Sequence, residues 1–168
     1  MLFRSETAIA EKSEIRLAAY ECIVSIAEMY YDHLAPYMQA LYGLTLQCIQ
    51  KARGDQEEDE VGQQAVEFWS TICDEEQDLQ EEEEDAKLEQ RPPERRSANY
   101  ASGAATTLVP ELLEALCKQE EDAESDDDWN LAMASATCLT SFARAGKDVV
   151  VPPVMTFIQA HIQSPDWR

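Results

Sequence analysis

Carboxylates are the most numerous side chains here that could do chemistry, and seven of them lie within nine residues. They are Glu120, Glu121, Asp122, Glu124, Asp126, Asp127 and Asp128, and Trp129 follows directly. Acids on a connecting segment make a poor core but a good surface for the Lys and Arg side chains of a partner. For Trp129 the residues alone leave two interpretations open: a plate for a bound cation, or a core residue that begins a helix.

Other residue types give little support for catalysis. The two histidines, His33 and His161, occur in neither E-x-x-H nor H-E-x-x-H spacing. The five glycines form no phosphate-binding loop, and residues 122–133 lack the turn glycine and the final glutamate of a calcium loop. We therefore expect no enzymatic activity, no metal and no cofactor.

The net charge of −21 comes from three stretches of the 168-residue chain. Residues 55–60, 74–94 and 120–128 hold 23 acids against two bases, Lys87 and Arg91, which alone gives −21. Such a chain is unsuited to direct binding of nucleic acids or anionic membranes, whereas a basic protein partner is favoured. We expect residues 55–60 to cap a helix, and we interpret residues 74–94 as a solvated helix extension that ends at Pro92-Pro93.

Five cysteines without a C-x-x-C spacing indicate buried free thiols in a reducing compartment. The N-terminus lacks the apolar core of a signal peptide, and no apolar run approaches the length of a membrane span. We therefore expect a soluble protein of the cytosol or nucleus.

Helical periodicity predicts an all-α chain. Its apolar positions fit six helices, with inward faces such as Ile15, Cys22 and Ile26 in the first, Leu44 or Thr45 in the second, and Trp69 in the third. The predicted helices cover about 11–31, 34–53, 57–78, 97–118, 129–145 and 149–163.

The helices repeat. Ala27 to Pro36 and Ala143 to Pro152 are each 9 residues apart, whereas the equivalent step from Cys73 to Pro110 is 37 and carries an insertion. Units of about 42–46 residues match two-helix HEAT repeats, which stack into a curved solenoid. Because both ends lack a polar cap, we expect a segment of a longer right-handed superhelix.

Three motifs are more specific than the repeat itself. They are VEFWSTICDEE at 66–76, DDDWN at 126–130 and SPDWR at 164–168. With Tyr30-Tyr31 and residues 36–38, they resemble the central repeats of importin-β, the nuclear import receptor of the karyopherin-β family. The resemblance covers residues 14–168 and leaves 1–13 as an unmatched N-terminal arm.

The resemblance implies a nuclear transport receptor of the cytoplasm, nucleus and nuclear pore. Its partners would be Ran-GTP, importin-α or basic cargo segments, and phenylalanine-glycine nucleoporins. It places the acids of 120–128, with Trp129, in a within-repeat loop on the concave face that binds Ran or basic cargo. It also matches Tyr37 and Leu44, on the outer face, to nucleoporin-binding positions, for which ordinary packing between repeats is the other interpretation.

Two other hypotheses remain open at this point. One is a HEAT scaffold or adaptor of another complex, in which the acidic loop serves only as a solubilising linker. The other is a small acidic helical enzyme or metal carrier.

Overall fold

The computed structural model describes the backbone of residues 3–117 and 129–164, and the side chains of residues 12–117 and 129–164. These residues form helices and no strands, so the all-α prediction is confirmed. Short 3-10 turns at Tyr31–His33, Gln56–Glu58 and Lys147–Val150 precede α2, α3 and α6. The six helices are α1 (Phe3–Tyr30), α2 (Met38–Gly54), α3 (Asp59–Leu88), α4 (Tyr100–Leu116), α5 (Leu131–Gly146) and α6 (Val151–His161).

The helices pack in two layers. Helices α1, α3 and α5 lie side by side in one layer, and α2, α4 and α6 lie side by side in the other. Between the layers α2 pairs with α3, and α4 pairs with α5. This is the stack of helix pairs that HEAT repeats form, in which each unit buries its apolar face against its neighbours.

Trp69 of α3 lies at the centre of the core and is only 1% exposed. Its indole N–H donates a hydrogen bond to Thr45 Oγ1 of α2 at 2.9 Å. Its ring is nearly perpendicular to the Phe68 ring, at a centroid distance of 5.4 Å, and the rings of Tyr42 and Phe142 lie 6.1 Å away. One side chain therefore joins α2, α3 and α5, which confirms its assignment to the core.

Several helix bounds differ from the prediction. Helix α1 begins at Phe3 rather than near residue 11, because residues 3–10 contain neither glycine nor proline to stop it. Helix α2 begins only at Met38, since Pro36 lies in the turn before it. Helix α3 continues to Leu88. Residues 3–13 are thus part of α1, and the division of the chain at residue 14 stays a prediction.

The predicted inward face of α1 is wrong in part. Ile15 is 69% exposed, Ile26 is 46% exposed, and Cys22 is exposed as well. Ala27 is buried instead, and Tyr20 packs against the core. Within its layer α1 packs on α3 alone among the described helices, so only part of its apolar circumference is covered.

All five cysteines are free, as predicted, but they are not all buried. Cys48, Cys73 and Cys138 are buried, whereas Cys22 is exposed and Cys117 is half-buried. None of the described helices combines the length and the apolarity that crossing a bilayer requires.

Candidate functional site

Helices α3 and α5 begin side by side, at the edge where the predicted acidic loop enters α5. Asp59 Oδ2, in the first turn of α3, accepts hydrogen bonds from Leu131 N at 3.2 Å and from Gln63 Nε2 at 2.8 Å. Gln63 Nε2 also donates to the Trp129 carbonyl at 3.4 Å. Asn130 Oδ1 caps α5 by accepting from Met133 N at 3.0 Å. The backbone at Trp129 is therefore fixed against α3.

The Trp129 side chain is 54% exposed. This exposure argues against the interpretation of Trp129 as a core residue. It leaves a large aromatic face beside the end of the acidic loop, where a Lys or Arg side chain could stack on it.

The acidic loop itself lies outside the described residues. Its seven predicted site residues are Glu120, Glu121, Asp122, Glu124, Asp126, Asp127 and Asp128. The elements on either side are described: α4 ends at Leu116, and Trp129 leads into α5. Since α4 packs on α5, the loop connects the two helices of one repeat, as the sequence predicts.

The acids of residues 55–60, at the same edge, serve the fold to different extents. Asp55 caps the turn before α3 by accepting from Glu57 N at 3.1 Å. Glu58 is 7% exposed and pairs with Arg16 Nη1 and with Lys51 Nζ, both at 2.5 Å. Burial raises the pKa of Glu58, but the hydrogen bonds from Lys51 and Arg16 outweigh it, and the pKa lies below its usual value. Through these ion pairs, Glu58 links α1 and α2 to the start of α3.

A groove of about 310 Å³ lies between α2 and α4, which are neighbours in one layer and belong to consecutive helix pairs. Its lining is mainly apolar and aromatic, and it extends inward to the buried Trp69. Such a groove can accept an aromatic or aliphatic side chain. The residues that line it are Met38, Gln39, Tyr42, Trp69, Asn99, Tyr100, Gly103 and Ala104.

Tyr37 and Leu44, the predicted nucleoporin-binding residues, do not line this groove. Both are exposed, Tyr37 by 64% and Leu44 by 53%. Leu44 follows Tyr42 by two residues, which places it about 200° around the helix axis from the groove. Thr45 occupies the buried position that the sequence left open between Leu44 and Thr45. The two residues therefore stay a prediction for a surface other than this groove.

Glu76 is a site residue that the sequence prediction missed. It is completely buried, although it falls in the stretch interpreted as a solvated extension. That interpretation is wrong for Glu76, Leu79 and Ala86, which are all buried. The signal was present in the spacing, because Glu76 follows Trp69 by seven residues and Ile72 by four, on one face of the helix.

The buried carboxylate of Glu76 caps α4. Its Oε1 accepts from Tyr100 N at 2.5 Å and from Tyr31 Oη at 2.7 Å, and its Oε2 accepts from Ala101 N at 3.1 Å. Tyr31 Oη in turn accepts from Ala98 N at 2.9 Å. Burial raises the pKa of Glu76 above its usual value, and the hydrogen bonds from Tyr31 and the two amides offset this only in part.

Metal chemistry finds no geometric support in the part of the chain that the structure describes. There, no group of three or more His, Cys, Asp or Glu side chains is arranged to hold an ion. Among the described residues, the edge around Trp129 and the groove between α2 and α4 are two candidate binding surfaces.

Comparison with known proteins gives a consistent result. The chain is 41% identical over 164 residues to importin subunit beta-1 of Schizosaccharomyces pombe. It is 45% identical over 166 residues to importin subunit beta-1 of Arabidopsis thaliana. Each match covers 97% of this chain, which spans 18% of the length of these curated relatives. No protein-family model matches the chain.

Solved structures of yeast importin-β (Kap95p) have the same fold. The complex of Kap95 with Nup1 superposes with a TM-score of 0.79 at 38% identity, over 92% of this chain and 17% of Kap95. In another structure, Kap95p binding induces the switch loops of RanGDP to adopt the GTP-bound conformation. This Kap95p superposes with a TM-score of 0.78 at 39% identity, over 97% of this chain and 18% of Kap95p. Sequence and fold together show that this chain is an importin-β-related HEAT-repeat chain, which confirms the resemblance that the tryptophan-containing motifs indicate.

Proposed function

We propose that the chain functions as part of a nuclear transport receptor of the importin-β type. The observation that carries the proposal is the match of sequence and fold along 97% of the chain to importin subunit beta-1. The relatives are importin subunits rather than enzymes, in keeping with the expected lack of catalysis. Such a receptor would work in the cytoplasm, in the nucleus and at the nuclear pore.

The first proposed binding surface is the acidic loop of residues 120–128 together with Trp129. Its partners would be Ran-GTP and the basic segments of importin-α or cargo. The exposed Trp129 ring supports this, because a Lys or Arg cation can stack on its face while the neighbouring carboxylates accept charge-assisted hydrogen bonds from the same cation. The structure of Kap95p with RanGDP shows that a relative binds Ran.

Titration of the purified chain with Ran-GTP, and separately with a basic importin-α peptide, tests this surface. Binding should be measurable for each ligand and weaker for Trp129→Ala. Thr137→Ala, on the exposed face of α5, is the matched control and should bind like the unchanged chain. Absence of binding to both ligands would contradict the proposal and favour a HEAT scaffold whose loop only maintains solubility.

The second proposed surface is the groove between α2 and α4, as a site for the phenylalanine side chains of nucleoporins. Its aromatic and methionine lining fits a benzyl group, and the relative Kap95 forms a complex with Nup1. A synthetic phenylalanine-glycine repeat peptide should shift the NMR resonances of Tyr100 and Gly103. The same peptide with Ser in place of Phe should shift neither, and equal shifts from both peptides would contradict this assignment.

A further inference from the structure

Glu76 does not line the groove between α2 and α4, but it holds one wall of it. Asn99 and Tyr100, at the start of α4, line the groove. The amides of Tyr100 and Ala101 both donate to the Glu76 carboxylate, at 2.5 and 3.1 Å. The position of this wall therefore depends on a carboxylate in the opposite layer.

The same carboxylate also holds the segment that leads into the other wall. Tyr31, in the turn between α1 and α2, donates its hydroxyl proton to Glu76 at 2.7 Å. The Tyr31 ring packs on the Tyr100 ring at a centroid distance of 5.5 Å. Met38, which lines the groove, begins α2 seven residues later. Glu76 thus ties together the approach to α2, the middle of α3 and the start of α4.

Apolar packing alone would not fix the position of the start of α4 relative to α2 and α3. The helix α4 presents small residues here, Ala101, Ala104 and Ala105, and packed helices can slide over such surfaces by small shear motions. Hydrogen bonds to a buried charge are directional, and breaking them leaves polar groups without partners. Glu76 therefore opposes sliding in a way that the alanines do not.

We propose that Glu76 is a positioning residue that sets the width of the groove between α2 and α4. By fixing the start of α4 relative to α2, it keeps the groove open to one aromatic side chain. This inference rests on the proposed function of the groove as a phenylalanine site, and it identifies the residue on which the shape of that site depends.

An exposed pair of salt bridges at the same junction supplies a control. Arg95 pairs with Asp32 and with Glu75, in each case at 2.7 Å, but its side chain is 44% exposed. An exposed ion pair contributes little to stability. Arg95→Ala should therefore leave the groove almost unchanged, although it links neighbouring segments of chain.

The test uses the full chain with Glu76→Gln, Tyr31→Phe and Arg95→Ala. In Glu76→Gln an amide NH₂ replaces one of the two accepting oxygens and faces a backbone N–H donor. Amide hydrogen exchange at Tyr100 and Ala101, whose amides donate to Glu76, should accelerate about tenfold, with amides in α5 unchanged. Affinity for the phenylalanine-glycine peptide should fall by a similar factor. Tyr31→Phe, which keeps the carboxylate, should show a smaller change of the same kind, and Arg95→Ala none.

A second ligand separates positioning from general stability. Along α3, Glu76 lies 13 residues, or about 20 Å, from Gln63, which contacts Trp129 at the loop edge. Glu76→Gln should therefore leave binding of the basic importin-α peptide unchanged. Equal loss of both ligands, or faster exchange spread evenly along the chain, would overturn the inference.

Failure of the proposed function is distinguishable from failure of this inference. If the unchanged chain does not bind the phenylalanine-glycine peptide, the groove is not a phenylalanine site. Crystal structures of the unchanged chain and Glu76→Gln then decide whether Glu76 positions the groove. A shift of Asn99–Gly103 relative to α2 supports positioning, and an unshifted α4 overturns it.

Discussion

Glu58 and Glu76 are both buried carboxylates, but their surroundings shift their pKa values in opposite directions. Both lose solvation on burial, which raises the pKa. Glu58 faces the cationic side chains of Lys51 and Arg16, which more than compensate. Glu76 has only neutral donors, the Tyr31 hydroxyl and two backbone amides, and its pKa stays raised. Glu76 is also the more deeply buried of the two, so the deeper burial and the neutral donors together leave its pKa raised.

Stability should respond to pH in opposite ways through these two groups. A lowered pKa means that Glu58 contributes stability above its unfolded-state pKa, and that this is lost as the pH falls through its folded-state pKa. Glu58→Gln should cost about 1–3 kcal/mol at neutral pH, and the difference should shrink on acidification. Urea unfolding of both proteins from pH 7 to about pH 2.5, a range that extends well below the usual glutamate pKa, measures it. A pH-independent difference would show that the carboxylate acts by shape alone.

Glu76 has the reverse dependence. Because its folded-state pKa is raised, its contribution is present below the unfolded-state pKa and is lost as the pH rises through the folded-state value. In the same urea series, the difference in unfolding free energy between the unchanged chain and Glu76→Gln should therefore grow on acidification. A difference that shrinks instead would contradict the raised pKa.

Lys147 adopts a strained backbone conformation. Its φ of 51° and ψ of −124° lie in a region that glycine occupies without steric cost. Lys147→Gly should therefore raise the free energy of unfolding by about 1 kcal/mol, since the exposed contact with Glu84 at 3.8 Å contributes little. Lys147→Ala, which keeps the strain, is the control. Equal stability of the two variants in urea would argue against strain at this turn.

The start of α5 is held against α3, directly after the acidic loop in the chain. Asn130 caps the helix, and the Leu131 amide is bound by Asp59 of α3. Asn130→Ala should cost about 1 kcal/mol of stability and speed hydrogen exchange at the Met133 amide. Thr140→Ala, on the exposed face of the same helix, should do neither. Unchanged exchange at Met133 in Asn130→Ala would show that the cap is not needed to hold the loop edge.

The sequence predicts buried positions best where a helix packs on more than one neighbouring helix. In α3 and α5, apolar spacing predicts the buried positions of Trp69 and Phe142, because α3 packs on α1, α2 and α5, and α5 packs on α3 and α4. In α1 the same reasoning fails for Ile15, which has no described neighbour to cover it. The role of Glu76 also escapes prediction, since an acid within an acidic run is normally solvated, and only tertiary packing supplies its donors.

The whole molecule separates its excess charge from its core. The two layers bury mainly apolar residues, while the acids concentrate at the edge where α3 begins, in the second half of α3 and in the loop of residues 120–128. Only some of these acids are free for a partner, because Glu58 and Glu76 belong to the fold. Glu76 and the loop edge at Gln63 lie about 20 Å apart along α3, so substitution of Glu76 should not alter binding at the loop.

We propose that the loop of residues 120–128 binds a basic partner through its charge. The direct measurement is titration of the chain with a basic importin-α peptide across a range of salt concentrations. The tested variant carries Asp126→Asn, Asp127→Asn and Asp128→Asn. Its control carries Glu81→Gln, Glu84→Gln and Asp85→Asn, which removes equal charge from exposed positions of α3. We predict that affinity falls steeply with salt, falls at least tenfold in the loop variant, and changes little in the control. Affinity that is independent of salt, or equal in the two variants, would contradict the account.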